Sequence, residues 1–114
     1  MNTGPLIESA LDGLTFNSKA VHVYHAFYTG TEKVYIRYYI YLDSNDYFAD
    51  DTAIGGNVFD TVDIFCNKSD YSSLRDDVEA RLTAAGFTIG DAGPESYETD
   101  SGLWHLPINI SYEK

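Results

Sequence analysis

Apolar positions recur along this chain in two rhythms, one near three and a half residues and one of two. The helical rhythm opens the sequence. Leu6, Ile7, Ala10, Leu11 and Leu14 share one stripe behind Pro5, a residue suited to the first helical position, and this predicts a helix over 5–14 with an exit loop over 15–19. The two-residue rhythm follows. Val21, Val23, His25 and Phe27 alternate with His22, Tyr24, Ala26 and Tyr28 over 20–28, and a turn over 29–32 leads into a second strand over 34–42. The short connection predicts that these two strands form an antiparallel hairpin.

No period persists over 43–56, which reads as a long connection. The strand pattern resumes over 57–66, with Val58, Val62, Ile64 and Cys66 on one side and Phe59, Asp63 and Phe65 on the other. Asp60 interrupts the apolar side, so regular strand is expected from about Thr61. A second helix is predicted over 69–85. Ser69 or Asp70 can cap it, Asp76, Asp77 and Glu79 lie in its first half, and Tyr71, Leu74, Val78 and Leu82 form its stripe. Gly86 suits the left-handed position after the helix, with Phe87 as its hydrophobic companion. A turn-rich loop over 90–102 precedes a strand in which Trp104, Leu106, Ile108, Ile110 and Tyr112 alternate. Pro107 removes one N–H from that strand and places it at a sheet edge or gives it an irregular start. The expected architecture is one α+β domain over 1–114, in the order α-β-β-β-α-β. It is a mostly antiparallel sheet of about four strands with two helices packed on it.

The strand over 34–42 has something to bury on both sides. Val34, Ile36, Tyr38, Ile40 and Leu42 line the core, while Tyr35, Arg37, Tyr39 and Tyr41 face elsewhere. A half-solvated strand carries Lys, Glu, Thr or Ser on its second side, whereas Tyr and Arg are enriched at protein contacts. Two covers remain open: a helix of the same chain, or a neighbouring subunit.

Charge narrows the partners. With 18 acidic and 7 basic residues the formal charge is −11, which argues against gripping a phosphate backbone through clustered cations. Cys66 is alone, so neither an intrachain disulfide nor a cysteine metal framework is expected. The N-terminus lacks the pattern of a signal peptide, and no apolar run approaches the ~20 residues of a membrane helix. Without a secretory signal, the sequons at Asn67 and Asn109 read as coincidence. A soluble product of a reducing compartment is the expectation.

Candidate chemistry is sparse. His22 and His25 point to opposite sides of a strand and cannot share an ion. Asp43, Asn45, Asp46, Asp50 and Asp51 offer oxygen donors, but Tyr47, Phe48 and Ile54 break the EF-hand pattern. Gly55-Gly56 leads into a strand and lacks the P-loop lysine, and no nucleophile motif occurs. The expectation is no enzyme, no cofactor and no metal.

Three strings, in order, resemble a known family: Y-I-R-Y-Y-I-Y-L-D-S-N-D-Y-F-A-D-D over 35–51, V-D-I-F-C-N-K-S-D-Y-S-S-L over 62–74, and A-A-G-F-T-I through P-E-S-Y-E-T-D-S-G-L-W-H-L-P-I-N-I-S-Y-E-K at the end. The chain from Val34 onward looks like the tail terminator, or tail completion, proteins of long-tailed bacteriophages and prophages of Gram-positive hosts. Cys66 and Pro107 depart from the commoner pattern. The resemblance implies a structural protein of the virion tail, assembled in the host cytoplasm. It forms a ring, generally a hexamer, on the tail tube, stops tube polymerisation and docks to the head–tail connector protein. DNA passes through the lumen without specific binding, and an acidic lumen would let it slide. The contact residues expected on this reading are Tyr35, Arg37, Tyr39, Tyr41 and Phe65, with Tyr47, Phe48, Asp50 and Asp51 in a segment reaching a neighbour. A monomeric ligand-binding or regulatory domain using the tyrosine surface is the alternative, and a hydrolase with an unrecognised carboxylate site is a weaker third.

Overall fold

The computed structural model describes residues 2–49 and 52–114, with side-chain placement over 2–44 and 55–114. Helix α1 (Gly4–Ala10) leads to a small antiparallel pair, β1 (Thr15–Phe16) and β2 (Lys19–Ala20). The main sheet contains β3 (His22–His25), β4 (Val34–Ala49), β5 (Thr52–Cys66), β6 (Thr88–Ala92), β7 (Ser96–Glu98) and β8 (Leu103–Glu113). Helix α2 (Ser72–Ala84) connects β5 to β6. The spatial order is β3-β4-β5-β8-β6, with β7 also pairing β8.

Both helices pack on the face that carries Ile36 and Tyr38 from β4, Val62 and Ile64 from β5, and Leu106, Ile108 and Ile110 from β8. Ile7 and Leu11 of the first stripe and Leu74, Val78 and Leu82 of the second are buried against it. Asp70 accepts the backbone N–H of Ser72 at the start of α2. Gly86 has φ +100° beyond its end, and the Phe87 N–H returns to the Leu82 carbonyl at 3.0 Å, the hydrogen bond of a left-handed helix terminus.

The sheet is larger than the alternation suggests, with six strands rather than about four. β6 and β7 are almost wholly exposed and carry no apolar side for a period to reveal. Of the segment expected as a loop over 43–56, 43–49 instead prolongs β4 and 52–56 prolongs β5, and the two pair antiparallel. β3 pairs with β4 in parallel, His22 opposite Tyr35 and His25 opposite Tyr38, so the predicted antiparallel hairpin does not form. β3 ends at His25, Ala26 turns at φ +69°, and 26–33 has the length to run back and start β4 alongside it.

Two further expectations change. A register shift between Ile40 and Leu42 leaves both Tyr41 and Leu42 beside Phe59, which ends the strict alternation. Leu42, expected in the core, is thereby turned to the Phe59 side and exposed, while Ile40, also expected there, keeps its register with Asp60 and is exposed as well. β8 is an interior strand despite Pro107. The Pro107 carbonyl accepts Gly93 N–H at 2.8 Å, so its nitrogen faces the break between β6 and β7, where no ladder bond is missed.

Asp60 does not delay β5, which runs from Thr52. It is fully buried on the helix side, and the Thr3 hydroxyl ahead of α1 donates to its carboxylate at 2.9 and 3.0 Å. Burial pushes this carboxyl up, against the downward influence of Thr3 and His25. Its stabilising contribution is complete below the unfolded value of about 4 and is lost as pH rises through the elevated folded value. Asp60→Asn preserves shape and an acceptor for Thr3. It is expected to raise the melting temperature at about pH 7 while leaving it nearly unchanged at about pH 4; calorimetry at both values checks this, and an equal change at both would count against it.

Candidate interface on the outer sheet face

Among the described residues, no helix covers the sheet face opposite the core. Directly paired residues share a face, which places Tyr35, Arg37 and Tyr39 beside Phe65, Asp63 and Thr61, and Phe65 beside His105. Three rings stack across the strands: Tyr35 on Phe65 at 4.6 Å and 13°, and Phe65 on His105 at 4.3 Å and 10°. Asp63 adds a polar link between Arg37 of β4 and His105 of β8. Its Oδ2 accepts Arg37 Nε at 3.1 Å and Nη2 at 2.9 Å, and its Oδ1 lies 2.8 Å from His105 Nε2. The Arg37 guanidinium also sits 5.0 Å from the Phe65 ring centre, within cation–π range. β4, β5 and β8 are thereby tied together on the side that lacks helices.

The chain supplies its own cover at one end of this face. Tyr28 lies 4.4 Å from the Tyr35 ring, and Tyr24 meets Tyr35 edge-on at 6.2 Å. Glu32 fixes both covering rings: its carboxylate accepts the Tyr24 hydroxyl and contacts His22 Nδ1, while its N–H donates to the Tyr28 hydroxyl. Hydrogen bonding to Glu32, and then burial, push the Tyr24 hydroxyl up to about 12. The segment that makes β3 parallel to β4 is thus also the segment that roofs Tyr35.

The expected contact residues divide accordingly. Tyr35 is 9% exposed and Phe65 2%, so the chain's own packing occupies both. Arg37 is half-buried on Asp63. Tyr39, Tyr41 and Leu42 remain open on this side and Ile40, paired with Asp60, on the helix side, all at 36–51% exposure. They begin where β3 stops: β3 pairs only with Tyr35–Tyr38, so among the described residues no strand pairs the outer edge of β4 from Tyr39 onward. Tyr47 and Phe48 belong to β4, but their side chains lie outside the described residues, as do Asp50 and Asp51 altogether.

Sequence reasoning placed Asp63 on this face but missed its union with Arg37 and His105, and it missed the Tyr24–Tyr28 roof. A signal existed for Arg37 and Asp63, two opposite charges on the aromatic side of neighbouring strands. None existed for His105, distant in sequence. His105 Nδ1 faces Glu98 Oε1 at 3.6 Å, so the ring lies between two carboxylates and makes a cross-link rather than a base beside a hydroxyl or thiol. Among the described residues, no group of three or more His, Cys, Asp or Glu converges to hold a metal, and no helix is long and apolar enough to cross a membrane.

A solved structure with 16% sequence identity superposes with a TM-score of 0.54, covering 96% of this chain and 93% of that one. The likeness shows the fold alone. No family model and no curated protein matches the chain.

Proposed function

We propose that this chain is a tail terminator of a long-tailed bacteriophage or prophage. It caps the tail tube as a ring of six copies, the form general in the family it resembles, stops tube polymerisation and presents the surface that docks to the head–tail connector. The observation that carries this reading is the open patch of Tyr39, Ile40, Tyr41 and Leu42 on an unpartnered stretch of strand edge. Apolar and aromatic side chains beside an edge that no strand pairs among the described residues suit a neighbour that adds a strand and covers the rings. The three resembling strings supply the family, and the first of them contains this patch. On this reading the partners are other copies of the chain, tail-tube protein and connector, with DNA passing through the lumen, and the place of action is the virion tail.

Tyr39→Ala with Tyr41→Ala is expected to leave the fold intact, because both side chains are exposed. It should weaken assembly about tenfold or more, since aromatic anchors carry much of an interface's energy. Electron microscopy of rings on tail-tube ends, with mass measurements at high protein concentration, reads the effect. A wild-type chain that stays monomeric in concentrated solution and never binds tube ends would overturn the proposal.

A further inference from the structure

The seven basic residues fall into two groups. Arg37, Arg75, Arg81 and Lys114 pair with Asp63, Glu79, Asp77 and Asp43. Among the described residues Lys19, Lys33 and Lys68 make no ion pair. These three line one cavity of about 490 Å³, beside Phe16, Val21 and Val34. Phe16 and Val21 are buried and the lysines exposed, which gives an apolar floor under a cationic rim. Glu32 is the acidic residue in the lining, and its carboxylate is already engaged by Tyr24 and His22.

We infer that this cavity is the receiving site for an acidic segment of a second copy of the chain. The inference rests on the ring reading and adds where one subunit meets the next. Copies that each carry −11 repel, so their contact needs a cationic surface, and the unpaired lysines are concentrated here. The chain also provides an acidic occupant. The cavity is flanked by Lys33 and Val34 at the start of β4 and by Asn67 and Lys68 just past the end of β5. In sequence, Asp46, Asp50 and Asp51 fall where β4 passes into β5. Sixteen strand residues span about 50 Å, comparable to the molecule's 52 Å long axis. β4 therefore carries the chain from the cavity along the length of the molecule. Such a head-to-tail contact is heterologous, the kind that closes rings.

A charge exchange tests the pairing. In full-length protein, Lys33→Glu with Lys68→Glu should weaken self-association about tenfold or more, as should Asp50→Lys with Asp51→Lys. Mixing the two variants, each defective alone, should restore association by joining the reversed cavity of one to the reversed segment of the other. Sedimentation at low and high salt reads all three, and circular dichroism checks folding. Association that persists in the lysine variant, or that mixing does not restore, overturns this inference and leaves the ring reading standing. A wild-type chain that never associates, even with tube ends present, overturns both. Inorganic phosphate shifting the amide signals of Lys33 and Lys68 while the substitutions leave association unchanged would give the cavity to a small anion and overturn the inference.

Discussion

Asp63→Ala should destabilise the protein by about 3–5 kcal/mol, the cost of breaking a buried ion pair from one side. The Asp63 side chain is 2% exposed and holds Arg37 on one oxygen and His105 on the other. Its removal leaves a half-buried guanidinium and a mostly buried imidazole without their shared acceptor. Denaturant unfolding followed by circular dichroism measures the loss. Asp63→Asn keeps one acceptor and should cost less than the alanine variant. Equal losses in the two would mean that the volume of the side chain, rather than its charge, holds the three strands together.

Phe65→Ala should cost about as much, roughly 3–5 kcal/mol for a buried aromatic, although Phe65 lies on the face without helices. It is the middle ring of three and also lies under Arg37. Thermal unfolding checks the prediction, and a loss below about 1 kcal/mol would show that Tyr35 and His105 close over the gap. Asp63 and Phe65 share Arg37 and His105 as neighbours, so the double variant should lose less than the two single losses added together.

These residues also mark what could be read from the sequence. The core side of β4 was legible at Ile36 and Tyr38, because buried residues on one face repeat every second position. The register shift after Ile40 then breaks the period, and no composition signal marks it. The Ser-, Asn- and Asp-rich stretch after Leu42 reads as a loop because those residues are poor strand formers, yet its backbone continues the ladder with β5. The parallel direction of β3 was hidden because it depends on the path of 26–33, not on the pattern of His22–His25. β6 and β7 were missed since neither buries a side. For the candidate interface, Tyr39 and Tyr41 were legible as lying off the core side of β4, but their exposure was not, since a covering helix was equally compatible with the pattern. The cover over Tyr35 was not, because Tyr24, Tyr28 and Glu32 unite only once the chain doubles back. The lysine-lined cavity gathers residues from three separated parts of the sequence and had no local signature.

β5 has one more consequence, a mechanical one. It is flanked by β4 along nearly its whole length and by β8 from Asn57 to Cys66, both antiparallel, with ladder bonds running across the strands. A pull along its axis loads those bonds together in shear, instead of opening them one after another from an end. The Asp63 and Phe65 links lie across the same direction of slip. Strain applied at one end of the ribbon would thus be carried through the sheet as a unit.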